Sequence, residues 1–518
     1  MGGLGVYIRD GLNLLGKLSQ KKFDPVKMQE RELRKLLKKA KATEFGRKYN
    51  FHKMLHGANG TEIFNRFKAR VPTFSYIEIN RSWWQKARNG AEDVCWPGKV
   101  KYFATSSGTS EASYKYIPVT DEMIKAIQKT GIRQMLTLPK YELPINIYES
   151  EVMMLGGCSN LIDKGSYLEG DLSGIQASML PNWLKGVYRP GGEISAIRDW
   201  PEKLDAIARN AHKWNIGAIM GVPAWNQIML EKIIQHQGIK NIHELWPNLS
   251  IFVHGGVAID PYIKGFEKLF NKPVTFIETY LASEGFLAYQ SEPGKIEMKI
   301  VLDNGIFYEF VPFNEKNFDE NWDLKPDAQT LTIGEIENDK EYALLISTCS
   351  GAWRYLIGDV LKITSKEKCE IIISGRTKHF LSMCGEHLSI ENMNEAIKHV
   401  SQEFKIDIRE FSVAGVPHKS LFAHKWFIGT DDKVPVSELR LKLDNKLKEL
   451  NADYKVKRSV TLQEIFVEVL PSEVFFKWQR AIGKEGGQNK FPRVIKGEKL
   501  KQWENFLMES KIIGQCKF

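Results

Sequence analysis

Leu249 to Gly285 reads L-S-I-F-V-H-G-G-V-A-I-D-P-Y-I-K-G-F-E-K-L-F-N-K-P-V-T-F-I-E-T-Y-L-A-S-E-G, and its three parts decide the fold. An apolar run, Leu249 to Val253, delivers His254-Gly255-Gly256-Val257. A helical pattern follows from about Asp260 to Phe270. A second apolar run, Val274 to Tyr280, closes in Leu281-Ala282-Ser283-Glu284-Gly285. Strand, helix and strand in this order predict parallel strands joined by a crossover, and ligands in such sheets gather where strands end. The residues upstream repeat the pattern. A strand is expected from Tyr148 into Gly156-Gly157, a helix over Pro201 to Trp214, a strand from Ile216 to Gly221 and a helix from Trp225 to Gln237.

Further upstream, Thr105 to Lys115 reads T-S-S-G-T-S-E-A-S-Y-K after the extended run Val100 to Ala104. A glycine at a strand end lets backbone N–H groups converge on one point. Ser106, Ser107, Thr109 and Ser110 add hydroxyls, and Lys115 adds a charge suited to phosphate oxygens. The Walker pattern is absent. Taken alone, this is either a polar surface loop or a phosphate cradle. The glycine-bearing strand ends near residues 105, 255 and 282 favour the cradle. A helix is expected from Asp121 to Leu136 behind an N-cap at Thr120, and its dipole would favour an anion if it pointed at the loop. Asp24 to Ala42 reads as an amphipathic packing helix stopped at Gly46.

At 518 residues the chain is too long for one core, so at least two domains are expected. Its formal charge of +10 suits an anionic ligand. Basic residues are spread along the chain, though, and Lys455-Val-Lys457-Arg458 reads as a solvated face, so no nucleic-acid partner is expected. Apolar runs are short and broken by charge. Arg9 and Asp10 interrupt any signal sequence, and Val6 sits where myristoylation wants Ser or Thr. The expectation is a cytoplasmic protein with no membrane partner. The six cysteines show no metal-binding spacing and read as reduced and structural.

Downstream, Phe307 to Val311 and Tyr342 to Thr348 are expected strands leading to Trp353-Arg354-Tyr355-Leu-Ile-Gly358-Asp359. Glu370 to Ser374 is another, meeting Gly375-Arg376-Thr377-Lys378. The remainder alternates helix (391–404), strands (410–416 and 424–430), helix (436–451) and strand (459–469). Its tail holds Gly486-Gly487-Gln488-Asn489-Lys490-Phe491-Pro492-Arg493. The fold class expected is α/β. A large N-terminal domain with mixed and parallel sheets covers residues 1–380, and a smaller α+β lid covers 381–518.

Together these segments resemble the auxin-responsive Gretchen Hagen family, acyl acid amido synthetases within the acyl-adenylate-forming enzymes, here of a bacterial type. The resemblance rests on Ser106-Ser107-Gly108-Thr109-Ser110 with Lys115, on Tyr280-Leu-Ala-Ser283-Glu284, and on Arg354-Tyr355-Leu-Ile-Gly358-Asp359. Gly375-Arg376-Thr-Lys378 and Asn489-Lys490-Phe-Pro492-Arg493 complete it, so it covers nearly the whole chain in order. Departures are Ala112 for Gly, Ala282 for Ser and Trp353 for Tyr.

The resemblance implies ATP-dependent activation of a carboxylic acid, then transfer to an amine, expected to be an amino acid. The alternatives are a coenzyme A-type thiol acceptor, or a regulator that binds nucleotide without turnover. It implies phosphate binding by Ser106, Ser107, Gly108, Thr109 and Lys115, and Mg2+ binding by Glu284. Gly256, Thr279, Tyr280 and Ser283 would wall the nucleotide, and Asp359 would hold the ribose hydroxyls. Arg376 would sit at a hinge, and Lys490 would stabilise charge at the α-phosphate. For the acyl pocket, Trp183, Tyr188, Val222 and Trp225 are candidates, although tryptophans in such a context are more often core. A monomer is the simpler expectation for oligomeric state.

Overall fold

Five parallel strands form one half of the large sheet: Tyr188–Arg189, Glu151–Met154, Ile216–Gly221, Ile251–Gly255 and Thr275–Ala282, in that spatial order. Their residues are largely apolar on both faces, as strands covered on both sides require. The computed structural model describes residues 3–509 apart from 19–23, 58–59, 108–113, 257–258, 260–261, 315, 320–322, 378–382, 385, 387, 389, 409, 483–490 and 496. Beyond Thr275–Ala282 the sheet turns antiparallel through Gly285–Tyr289, Met298–Ile300, Glu370–Arg376, Tyr355–Ser365, Glu341–Thr348 and Ile306–Pro312, eleven strands in all among the described residues. The sheet is therefore mixed, as the strand pattern predicts.

Two compact units divide the chain. The first holds Met1–Ser106, Lys115–Ile259 and Phe266–Lys378; the second holds Ser107–Tyr114, Asp260–Gly265 and His379–Phe518. In the first unit, helix Pro25–Ala40 starts at Asp24, whose carboxylate accepts from the Lys27 N–H at 3.0 Å, and it buries Leu33, Leu36, Leu37 and Ala40. It stops at Ala40. Gly46 does not terminate it: Thr43 caps a separate helix, Glu44–Lys48, and a Cβ at Gly46 would lie 2.1 Å from the Ala40 carbonyl oxygen. The core packed above this segment is aromatic. Trp353 is fully buried, stacks on Phe45 at 5.7 Å between centroids and donates its indole N–H to the Cys95 carbonyl at 3.1 Å.

Helix Asp121–Met135 is capped by Thr120 as expected, but it does not open beside the serine-rich loop. A strand, Tyr114–Val119, intervenes and belongs to a four-stranded sheet with Tyr102–Ser107, Leu168–Gly170 and Ile162–Asp163. Six extended residues carry the helix start about 20 Å along the chain from the loop, beyond the reach of its dipole. The Thr120 hydroxyl instead donates to the Cys349 carbonyl at 2.8 Å.

The second unit is α+β. Strands Glu410–His418, Leu421–Gly429 and Leu462–Leu470 form its sheet, antiparallel and then parallel, with helices Ile390–Phe404, Val436–Leu450 and Ala452–Val460 in the same unit. Residues 452–460 are helical where a strand from Ser459 was expected, because Asn451 caps the Tyr454 N–H at 2.8 Å. On that helix Arg458 is no solvated cation. It bonds buried Asp444 at 2.8 and 2.9 Å, and Asp444 also accepts from Tyr454 at 2.7 Å. The segment after Lys490 adds to the sheet edge: Val413 donates to the Arg493 carbonyl at 2.9 Å, and Ile495 donates back to Val413 at 3.0 Å. Five cysteines, 95, 158, 349, 369 and 384, are free thiols, all buried except Cys158. Cys516 lies outside the described residues.

Candidate active site

Two of the parallel strands end on glycine. Gly221 closes Ile216–Gly221 with φ +139°, and Gly256 follows Ile251–Gly255 with φ +84°. At Gly255 the reason is crowding: a Cβ there would sit 2.5 Å from the Thr279 carbonyl oxygen. The Thr279 hydroxyl in turn donates to the His254 carbonyl at 2.9 Å, tying the two strand ends together. Thr275–Ala282 then turns back into Gly285–Tyr289 through Ser283 and Glu284, with Ala282 opposite Gly285. Gly285 has φ +148°, and a side chain on it would meet Ile306 Cδ1 at 2.8 Å and Met123 Sδ at 3.0 Å. That tight turn holds Glu284 at 7% exposure.

Asp359 reaches this region from the other half of the sheet. It follows Gly358, whose φ of +95° only glycine adopts without cost, and the Thr377 N–H donates to the Gly358 carbonyl at 2.8 Å. Asp359 lies opposite Arg376 in register and is 5% exposed. Its Oδ2 accepts a hydrogen bond from the Tyr280 hydroxyl. In strand order these residues stand four steps apart, about 19 Å in a flat sheet, far beyond a tyrosine's reach. The sheet must curl back on itself. Between the two halves pairing is brief at Met298–Ile300: Met298 and Lys299 with Ile371 and Glu370, Lys299 and Ile300 with Tyr289 and Ala288. The Tyr280–Asp359 bond closes that curl over the strand ends.

Behind Asp359, Arg354 anchors the start of its strand. Arg354 has φ +43° and is buried with Glu309, 4% and 1% exposed. Its Nε and Nη2 donate to Glu309 at 2.9–3.1 Å, Nη1 donates to the Val71 and Lys68 carbonyls, and Nη2 also reaches Thr330 Oγ1. Every guanidinium nitrogen is engaged, so this motif arginine is a structural pin. The sequence pattern assigns it no task and does not mark Glu309, whose pairing is invisible without tertiary structure. Lys115 Nζ lies 3.5 Å from the Tyr355 hydroxyl and 5.4 Å from the Tyr76 ring centroid, linking the end of the serine-rich loop to the same strand.

Three family models match along the chain: GH3 family N-terminal domain over residues 14–160 and 130–275, GH3 family central domain over 299–370, and GH3 family C-terminal domain over 391–499. The chain belongs to the GH3 family. An indole-3-acetic acid-amido synthetase of Arabidopsis thaliana is 24% identical over 404 residues, covering 66% of this chain and 65% of that protein. A jasmonoyl–L-amino acid synthetase of Nicotiana attenuata is 20% identical over 401 residues, covering 66% and 67%. Among solved structures, the GH3.15 acyl acid amido synthetase superposes with a TM-score of 0.57 at 15% identity, covering 92% of this chain and 93% of that one. A 2-hydroxyisobutyryl-CoA ligase gives 0.56 at 13% identity, covering 94% and 92%. These two likenesses establish the shared fold.

In this GH3 chain Gly256, Thr279, Tyr280, Ser283 and Glu284 lie along the last residues of two adjacent strands and the turns that follow them, and Asp359 joins them through its bond to Tyr280 in the first unit. Ser106 sits half-buried at the end of Tyr102–Ser107, and the Arg376 backbone lies beside Asp359. Gly108, Thr109, Lys378 and Lys490 lie outside the described residues, as do the side chains of Ser107, Trp183 and Arg376. Of the acyl-pocket candidates, Trp225 is buried and stacks on Trp200 at 4.3 Å, and the Tyr188 hydroxyl meets Ser195 Oγ at 3.2 Å. Both pack in the interior. Beside them is a residue that no motif singles out. Lys203 is 2% exposed, 3.4 Å from the Gly156 and Gly157 carbonyls and 5.2 Å from the Trp200 ring centroid. Burial holds its ammonium below the usual lysine range.

Proposed function

We propose that this protein is an ATP-dependent acyl acid amido synthetase. A carboxylate oxygen of the acid attacks the α-phosphorus of ATP, pyrophosphate leaves, and an amine nitrogen then attacks the acyl carbon with release of AMP. The observation that carries this reading is the buried Tyr280–Asp359 pair closed over glycine-ended parallel strands, in a chain of the GH3 family. The amido synthetase names of its Arabidopsis and Nicotiana relatives support an amine acceptor, an amino acid by preference.

The residues present fit a nucleotide. Gly256 offers a backbone turn with open space, since a Cβ there would meet nothing nearer than Val222 Cγ2 at 4.0 Å. Asp359 accepts a hydrogen bond from the Tyr280 hydroxyl on Oδ2, and a carboxylate has lone pairs enough to accept from a ribose hydroxyl as well. Thr279, Tyr280 and Ser283 would line the nucleotide, with Ser106, Ser107, Gly108, Thr109 and Lys115 around the distal phosphates. Among the described residues no three His, Cys, Asp or Glu side chains converge on one point. Mg2+ would therefore be held by Glu284 together with phosphate oxygens, as this ion commonly is, and when bound it would neutralise phosphate charge. Arg376 and Lys490 would act with the C-terminal domain, whose lid role and start near residue 381 belong to the same proposal. A cytoplasmic location and a monomer are the expectations carried with it; among the described residues no helix is long and apolar enough to cross a membrane.

The acceptor is tested by mass spectrometry of reactions holding ATP, a panel of aryl, indole and fatty acids, and either mixed amino acids or coenzyme A. An amide that requires acid, ATP and amino acid is the expected product. A thioester formed only with coenzyme A would replace the amine by a thiol, and neither product with ATP binding intact would indicate a regulator.

A further inference from the structure

The first helix, Gly3–Leu18, is seated the wrong way round for a packing helix. Two of its glycines, Gly5 and Gly16, face the body of the protein: Gly5 donates its N–H to Glu149 Oε1, a Cβ on it would lie 2.8 Å from the Ile145 carbonyl oxygen, and one on Gly16 would lie 3.2 Å from that of Leu136. Its large apolar residues face out. Tyr7 is 77% exposed, Leu4 65%, Leu14 60% and Leu15 55%, with Ile8 also exposed. At about 100° per residue these five fall within roughly one third of the helix circumference, a single continuous stripe. A stripe of that kind in water loses the stabilisation that burial would give, so it is expected to be covered in use.

The surrounding charge indicates what covers it. Residues 1–22 hold four basic side chains, Arg9, Lys17, Lys21 and Lys22, against one acid, Asp10, in a chain of formal charge +10. Arg9 falls on the side of the helix away from the stripe and pairs with Asp10 at 2.8 Å, so the net positive charge of the segment comes from Lys17, Lys21 and Lys22, which follow the stripe in sequence. An apolar stripe with Tyr and Leu in a segment of net positive sequence charge is the pattern of a helix that lies in the interface of an anionic bilayer. At 16 residues with internal charges it is too short and too polar to span one. The geometry points to Gly3–Leu18 as a docking helix for the surface of an anionic lipid membrane, which replaces the expectation of no membrane partner. This does not depend on the activity proposed above.

The test is co-sedimentation of the full chain with vesicles of phosphatidylglycerol and phosphatidylcholine mixed, against phosphatidylcholine alone, with size-exclusion light scattering in parallel. Binding to the anionic vesicles is expected, weakened by added salt and reduced at least about tenfold in Leu4→Asp/Leu14→Asp, whose positions are exposed and leave the melting temperature unchanged. Absence of binding, or binding indifferent to the double substitution, would overturn it. So would self-association that the same substitution abolishes, which would make the stripe a protein interface.

Discussion

Arg354 and Tyr280 show two different uses of motif residues. The Arg354–Glu309 pair is buried, so removing one partner leaves a desolvated charge behind; Glu309→Gln is expected to cost about 3–5 kcal/mol of stability, measured by urea denaturation. Tyr280 acts on Asp359. Tyr280→Phe removes one hydrogen bond and is expected to weaken ATP binding severalfold with the fold intact, whereas Asp359→Asn lowers adenylation by two orders of magnitude or so, both read from kcat and KM for ATP. The motif residues were legible because each lies in a short segment with its own turn chemistry, such as Gly358 before Asp359 or Ser283-Glu284 before Gly285. Glu309 and Lys203 were not, because their roles come from partners 45 residues and more away in sequence.

Among the elements, those with a clear period or a cap were readable: the Thr120-capped helix, the crossover strands and two of the C-terminal helices, Ile390–Phe404 and Val436–Leu450. Tyr114–Val119 has no counterpart in the sequence reading, and it carries Pro118, a residue disfavoured inside strands. It is tolerated here because this strand lies at the edge of its sheet, where a missing N–H breaks no ladder. Gly285 makes the hairpin possible, and Gly285→Val would collide with Ile306 and Met123 at a disallowed φ; a loss of about 2 kcal/mol or more is expected by thermal denaturation, together with loss of activity through Glu284.

In the second unit Glu386 is fully buried. Burial alone would raise its pKa, but His424 at 2.9 Å and the N–H groups of Cys384 and Met383 at 2.8 Å bring it down to about 2. A carboxyl held low in the folded state contributes stability that is fully present above its ordinary value of 4.5 and is lost as pH falls through about 2. Denaturation of the protein from pH 6 down to 2, alongside Glu386→Gln, checks this: the variant should be less stable near neutrality and flatter in acid.

For the whole molecule, order along the chain revealed an α/β body followed by a smaller α+β unit, because crossover spacing and compositional breaks are local signals. The curl of the sheet was not readable. It is marked by a hydrogen bond between residues 79 apart in sequence and four strands apart in the sheet. Under the proposed function that curl would assemble one nucleotide site from two distant motifs, and this single site would adenylate an acid. The most direct measurement is acid-dependent exchange of labelled pyrophosphate into ATP across a broad acid panel, with Glu284→Gln and Lys490→Ala beside the parent. Exchange with at least one acid, abolished by Glu284→Gln and strongly reduced by Lys490→Ala, is the predicted result. Exchange that survives Glu284→Gln, or tight ATP binding with no exchange for any acid, would contradict it.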